Sequence, residues 1–342
     1  MLLENVLAAT GGKLLAEPAI SRFDTIATNP KKAVRGSLFI AIHPEEIPQA
    51  VESGAYGILT DDYITPTDNE IAWIKVDSLL AILAKLLRLW LIKHPRKIFW
   101  VLRQHIEFID LVERDTKIAT LQSDEAAMSL EILNSTEQQI FFCQDADFLE
   151  HIGLNPEKPP CTAPEASIVS HTLFETSLIL KNRFYERLSL IEPMSDFLLE
   201  AIGFLEALDL GWSLSQLDFT PSLEPVFVDR FANIQDFGES DRVLIFADSA
   251  LPCRCYEHFN MAKWSRIGFI KNRNIKFSCD IKHSKTVPAT IHDPDESLVD
   301  TLFEALNKPG YIVLIGFDKN ELLNLLSKSH QKHNNPILKG LF

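Results

Sequence analysis

The first part of the chain alternates short apolar runs with helical patterns. Uninterrupted apolar runs of four to six residues are typical of buried strands, while leucines at helical spacing indicate an amphipathic helix. Strands are expected at Ser37–Ile42, Gly57–Thr60 and Ala72–Val76, and helices at Ile47–Ser53 and Leu79–Ile92. Strands that alternate with helices predict an α/β layer built on a parallel sheet.

The same alternation continues beyond residue 92, where His94-Pro95 is a natural helix stop. Four proline residues between Asn155 and Pro164 predict a loop or linker. A helix ending at Gly211 is expected, since glycine is favoured just after a helix. The remaining expected elements are strands at 98–102, 140–143, 242–246 and 311–316 and helices at 194–210 and 319–328. The whole chain is therefore expected to be α/β.

Composition and charge exclude several kinds of partner. With 46% hydrophobic and 23% charged residues, the 342-residue chain has the composition of a globular protein. Lys and Arg number 33 against 47 Asp and Glu, which gives a formal net charge of -14 that would repel nucleic acid. The apolar Leu79–Ile92 stretch is interrupted by Lys85 and Arg88, so no membrane span is expected either.

The cysteines suggest the compartment. The chain has five of them, at positions 143, 161, 253, 255 and 279. An odd number without the spacing of a disulfide framework, and with no secretory leader ahead of it, predicts reduced thiols. A cytoplasmic location is expected on that basis.

One cysteine cluster has spacing that could suit a metal. Cys253 and Cys255 stand close to His258, and two thiolates with an imidazole could hold zinc or a softer metal. A Cys-x-Cys pair without a second pair matches structural zinc sites poorly, so half-buried thiols after a strand are the simpler interpretation. An iron-inserting chelatase working through a histidine and a carboxylate is a further alternative, but no fixed spacing supports it.

Four short motifs stand in order along the first ninety residues. They are Thr10-Gly11-Gly12, Arg35-Gly36-Ser37-Leu38-Phe39-Ile40-Ala41-Ile42, Ser53-Gly54-Ala55-Tyr56-Gly57-Ile58-Leu59 and Val76-Asp77-Ser78-Leu79-Leu80-Ala81-Ile82-Leu83-Ala84. Together they resemble the N-terminal domain of the Mur ligases, most closely the members that add D-alanyl-D-alanine to UDP-muramoyl-tripeptide. The resemblance implies a bacterial protein with a multidomain α/β fold, working in peptidoglycan biosynthesis.

The phosphate-binding loop of that family is missing. The family has Gly-Thr-x-Gly-Lys-Thr after the first central strand, where backbone N–H groups wrap the phosphates of ATP. Here the strand at 98–102 runs into Arg103-Gln104-His105-Ile106-Glu107-Phe108, and no glycine occurs between Gly57 and Gly153. Bulky residues cannot adopt the conformations that such a loop requires. ATP is therefore not expected as a cofactor, and no catalytic residue is assigned.

The nucleotide-binding turns of the N-terminal domain are also altered. Where the resemblance places a uridine-contacting Asp-Ser-Arg, this chain has Asn29-Pro30-Lys31, and His43-Pro44 replaces an Asp-Gly-His segment. A retained ligand would lie against Asn29, Lys31 and His43. Because proline lacks an N–H donor and lysine lacks the bidentate fork of arginine, binding of a UDP-muramoyl peptide should be weak.

These departures predict a degenerate Mur-ligase homologue. Its N-terminal domain is expected over residues 1–92, a degenerate central domain, formerly of the ATPase type, over 93–252, and a shortened C-terminal α/β region over 253–342. The expected function is non-catalytic: a cytoplasmic pseudoenzyme that binds a UDP-muramoyl peptide or a protein partner and is linked to peptidoglycan precursor metabolism. The alternatives are an active peptidoglycan precursor ligase and a metal-binding enzyme of the ferrochelatase type.

Overall fold

The computed structural model describes residues 1–112, 115–162, 164–261, 266–272, 274–281, 284–287 and 296–334. Its helices are α1 (Leu3–Thr10), α2 (Ile47–Glu52), α3 (Leu79–Leu91), α4 (Arg103–Val112), α5 (Glu125–Leu133), α6 (Ala146–His151), α7 (Ser195–Ala207), α8 (Cys253–Asn260), α9 (Glu296–Leu306) and α10 (Lys319–Asn334). Its strands are β1 (Lys13–Leu14), β2 (Thr25–Ala27), β3 (Ser37–Ile40), β4 (Gly57–Thr60), β5 (Ala72–Lys75), β6 (Lys97–Trp100), β7 (Ile118–Leu121), β8 (Ile140–Cys143), β9 (Ala166–His171), β10 (Thr176–Leu180), β11 (Arg183–Leu188), β12 (Leu223–Phe227), β13 (Arg242–Ala247), β14 (Ile267–Asn272), β15 (Ser284–Val287) and β16 (Gly310–Ile315).

The N-terminal sheet has the strand order β1-β5-β4-β3-β2. The edge strand β1 is antiparallel to β5, and the other neighbours are parallel. Strands β3 and β4 are buried along their whole length, in agreement with sequences that are apolar apart from Ser37 and Thr60. The leucine face of α3 packs into a core shared with α1, α5 and the sheet. The predicted α/β layer is thereby confirmed.

Two three-stranded sheets follow. The first is parallel, with the order β6-β8-β7, and the second is antiparallel, with the order β11-β10-β9. Strand β8 begins and ends where its apolar run does. The strand expected over 98–102 instead ends at Trp100, because α4 already begins at Arg103.

One helix end differs from the sequence-based expectation. Helix α7 ends at Ala207, and the chain turns at Asp209, whose φ of 58° lies in the left-handed region. The prediction that Gly211 ends this helix is therefore wrong. Aspartate can adopt this conformation because its short polar side chain tolerates it. The turn lets Leu210 fold back into the core, where it is buried.

The C-terminal sheet has the strand order β12-β13-β16-β14-β15. Strand β12 is antiparallel to β13, and the remaining neighbours are parallel. Helices α9 and α10 cover one face of this sheet through a cluster that includes Leu302 and Leu326 packed with Leu314. Strand β16 lies between β13 and β14, although both of these strands precede it in the chain.

The contacts divide the chain into two compact units. One comprises residues 1–106 and 115–160, and the other comprises 107–114 and 161–342. The three-domain boundaries expected after residues 92 and 252 stay a prediction. Within the described ranges, no helix combines the length and the apolar sequence needed to cross a membrane.

Candidate functional site

The three residues expected to bind a ligand lie at one edge of the N-terminal sheet. Asn29 and Lys31 follow β2, and His43 follows β3. These two strands are parallel neighbours, so their carboxyl ends meet at the same edge. All three side chains are exposed. The three residues therefore follow neighbouring strands on a surface that faces solvent, and their role in binding stays a prediction.

Local hydrogen bonds define the shape of this edge. The Oδ1 atom of Asn29 accepts the Lys31 N–H at 3.0 Å, so Asn29 caps a short 3₁₀ helix over Pro30–Lys32. At the end of β4, a carboxylate oxygen of Asp61 accepts the N–H of Leu79 at 2.9 Å and thereby caps α3. An anionic ligand at this edge would need donors, which are the Lys31 ammonium, the His43 imidazole and the amide NH2 of Asn29.

The junction between β6 and α4 is where the resemblance implies a phosphate loop. Only Val101 and Leu102 separate the strand from the helix. The Val101 N–H donates to the Cys143 oxygen at 2.9 Å, which continues the pairing of the sheet. The Leu102 N–H donates to Nδ1 of His105 at 3.3 Å, and His105 is buried. The His105 imidazole thus accepts the hydrogen bond of the backbone N–H group that directly precedes α4.

The following turn of α4 carries another buried polar residue. Glu107 is only 4% exposed, and its Oε2 atom lies 3.4 Å from the Ser222 N–H, next to the start of β12. Ser222 also lies within hydrogen-bond distance of Thr220. Burying a carboxylate is costly unless it accepts hydrogen bonds, so Glu107 is a structural anchor for this segment. In the sequence, Glu107 is visible only as part of the segment that stands in place of a phosphate loop.

The expected metal cluster is not assembled on α8. Cys253 forms a disulfide with Cys279, so the prediction of reduced thiols is wrong for this pair. Cys255 is buried with its sulfur 3.7 Å from that of Met194, and burial raises the pKa of its thiol to about 12. Residues two apart on a helix do not face each other. In the described part of the chain, no three His, Cys, Asp or Glu side chains are placed to hold a metal.

The third member of the expected cluster has a different environment. His258 is 3% exposed, and its Nε2 atom lies 3.2 Å from the Leu173 oxygen. Its Nδ1 atom is buried without a hydrogen-bond partner, and burial lowers the pKa of the imidazole. The His171 ring lies with its centroid 5.9 Å away. Together with Phe174, Met261 and Tyr311 among others, the two histidines line a cavity of about 450 Å³.

Comparison with known proteins identifies the fold. Neither the models of known protein families nor the curated proteins contain a match to this chain. Solved structures do match, and the fold they define is that of the Mur ligases. The MurF ligase from Thermotoga maritima in complex with ADP aligns with a TM-score of 0.51 and 11% identity, over 90% of this chain and 98% of that chain. MurF from Acinetobacter baumannii aligns with a TM-score of 0.48 and 10% identity, over 97% of this chain and 98% of that chain.

The resemblance inferred from the N-terminal motifs is thus confirmed for the fold. It also extends well beyond the first ninety residues, since the alignment with the Thermotoga maritima structure covers 90% of the chain. Because a fold can carry many different functions, the function has to be argued from the sites described above.

Proposed function

We propose that this protein is a non-catalytic homologue of the Mur ligases, a cytoplasmic binding or regulatory protein linked to peptidoglycan precursor metabolism. The observation that carries the proposal is the two-residue junction between β6 and α4. A phosphate-binding loop needs several residues, free backbone N–H groups and glycines that allow close approach. The junction offers none of these three features, so its residues do not fit ATP.

The backbone donors at the junction are already engaged. The Val101 N–H donates a hydrogen bond to the Cys143 oxygen of β8, and the Leu102 N–H donates one to the His105 imidazole. No lysine or threonine follows in the first turn of α4, which begins Arg103-Gln104-His105-Ile106. The lysine that reaches the phosphates and the hydroxyl that holds Mg²⁺ in such a loop are therefore absent from this turn, whose one cation is Arg103. The matched MurF structure is a complex with ADP, whereas this chain is proposed to bind no adenine nucleotide.

The ligand is proposed to lie at the carboxyl edge of β2 and β3. Lys31 and His43 are exposed there beside the turn capped by Asn29. One ammonium and one imidazole can attract an anionic group, such as the diphosphate of a UDP-muramoyl peptide or a carboxylate of a protein partner. A lysine is a point charge without the bidentate geometry of arginine, so the affinity for the nucleotide should be low.

The ATP test is a calorimetric titration with ATP and Mg²⁺, coupled to measurement of phosphate release in the presence of muramoyl peptides. We expect neither binding nor phosphate release. Saturable binding at sub-millimolar concentration would contradict the proposal and support the alternative, an active peptidoglycan precursor ligase.

The ligand test is a titration with UDP-muramoyl peptide. We expect a dissociation constant in the millimolar range or above, because each lost charge-assisted hydrogen bond weakens binding by roughly tenfold or more. Lys31→Ala should remove any residual binding, while Lys32→Ala, the neighbouring exposed lysine of the same 3₁₀ helix, should retain it. Micromolar affinity that Lys31→Ala abolishes would contradict weak binding and identify a dedicated precursor-binding protein. Equal loss in both variants would contradict a specific role for Lys31.

A further inference from the structure

A short segment after β14, which we call the strap (residues 274–281), lies at the carboxyl edge of the C-terminal sheet. Near its start, Ile275 packs onto Gly316, which follows β16. A Cβ atom on Gly316 would lie only 2.5 Å from the Cδ1 atom of Ile275. Just before the strap, the Asn272 side chain donates to the Gly316 oxygen at 3.0 Å. The first part of the strap therefore covers the end of β16.

The second part of the strap is attached to α8. The Phe277 ring packs edge-on against Tyr256, with centroids 5.0 Å apart, and the Tyr256 hydroxyl donates to the Asp248 oxygen at the end of β13. Two residues further on, Cys279 is joined to Cys253, the first residue of α8, with Cα atoms 5.4 Å apart. The strap thus reaches from the ends of β14 and β16 to the helix that follows β13, and its covalent anchor is the disulfide.

The sulfurs of the disulfide are more accessible than the thiol of Cys255, which lies on α8 beside Cys253. Cys253 is exposed and Cys279 is partly exposed, so a reductant can approach the disulfide. Cys255 is fully buried, and the high pKa of its thiol leaves little thiolate to exchange with the pair. The disulfide can therefore open and close without exchanging partners with Cys255.

We propose that the Cys253–Cys279 disulfide is a thiol–disulfide exchange site through which a dithiol reductant, such as a thioredoxin-type protein or a small dithiol, releases the strap. In open α/β sheets ligands bind outside the carboxyl ends of the strands, which is the edge that the strap covers. The oxidised protein keeps this edge closed, and the reduced protein opens it. This inference concerns a different edge from that of the proposed function and stands independently of it.

The exchange is a two-electron step. A thiolate of the reductant attacks the Cys279 sulfur, the bond between the two protein sulfurs breaks, and Cys253 leaves as a thiolate. Cys253 is the first residue of α8, where the positive end of the helix dipole favours a negative charge. The second thiol of the reductant then attacks the mixed disulfide and releases Cys279. The reductant becomes a disulfide, and the two protein thiolates take up the two protons that the dithiol loses.

The test is hydrogen exchange of the full-length protein, with and without dithiothreitol, together with mass-spectrometric counting of thiols. On reduction we expect the strap amides to exchange at least about tenfold faster, while amides of β13 and β16 keep their rates. Cys253→Ser and Cys279→Ser should show the fast strap exchange without reductant and no further response to it. Cys161→Ser removes an exposed thiol outside the pair and should behave as the parent protein.

Four results would overturn the proposal. The first is unchanged strap protection after the disulfide is shown to be reduced. The second is the recovery of Cys253 and Cys279 as thiols even after treatment with an oxidised dithiol. The third is faster exchange that spreads equally through β13 and β16, because this would mean general loss of structure rather than release of the strap. Serine variants that stay as protected as the parent would count against the proposal in the same way.

Discussion

The two five-stranded sheets in the described part of the chain have the same construction, but their strands end in different surroundings. Each has four parallel strands and one antiparallel edge strand. In the N-terminal sheet, the residues after β2 and β3 are exposed and polar, as Lys31 and His43 show. In the C-terminal sheet, the ends of β13 and β16 are partly buried, and the strap and its disulfide cover them.

This comparison of the two edges distinguishes residues that stabilise the fold from residues that can be substituted without loss of the fold. Exposed side chains at the N-terminal edge are expected to contribute little to stability. Substitutions there can therefore create or remove a binding site while the fold is kept. At the C-terminal edge the backbone and the strap are close-packed, and close-packed interiors respond to the addition of even one methyl group. The same architecture therefore provides an open surface in one sheet and a covered one in the other.

The largest effect is expected from Gly316→Ala in the covered edge. The φ of Gly316 is 73°, where a Cβ atom costs about 1–2 kcal/mol, and the new methyl would displace Ile275. We expect the free energy of unfolding in urea to fall by about 2–4 kcal/mol. Adding Ile275→Ala should relieve the overlap, so in that background the cost of Gly316→Ala should be smaller. An equal cost in both backgrounds would contradict the close packing of the strap on this glycine.

A smaller effect is expected from Asp61→Ala in the N-terminal sheet. This change removes the carboxylate that accepts the Leu79 N–H at the start of α3. We expect a loss of about 1 kcal/mol in the free energy of unfolding, as for other helix caps. Asp62→Ala is the matched control, since Asp62 is the adjacent exposed aspartate, and it should have little effect. Equal destabilisation by both changes would indicate a general charge effect instead of a cap.

The smallest effect is expected from the candidate ligand residues themselves. Lys31→Ala and His43→Ala change exposed side chains, so the free energy of unfolding should stay within about 0.5 kcal/mol of the parent value. Chemical denaturation of the two variants and of Lys32→Ala would check this. A decrease above about 1 kcal/mol in the free energy of unfolding for either variant would show that the exposed edge also contributes to stability. The two sheets would then differ less than proposed.

Local patterns in the sequence determined much of the secondary structure. The strands β4 and β8 have the bounds that the sequence predicts, and α3 follows its leucine spacing. These signals are local, because the identities of residues within one strand or one helical turn decide which face is apolar. The absence of glycine between Gly57 and Gly153 is also read directly from the sequence.

The tertiary structure decided what depends on distant residues. The prediction of reduced thiols failed because Cys253 and Cys279 are 26 positions apart and meet only where the strap reaches the start of α8. The contact of His258 with the Leu173 oxygen likewise depends on the turn between β9 and β10, 85 positions earlier in the chain. Strand β16 enters the sheet between β13 and β14, and this order follows from crossover connections that no local pattern encodes. Short-range periodicity therefore determined the elements, whereas long-range packing determined which side chains are covered, paired or left open to solvent.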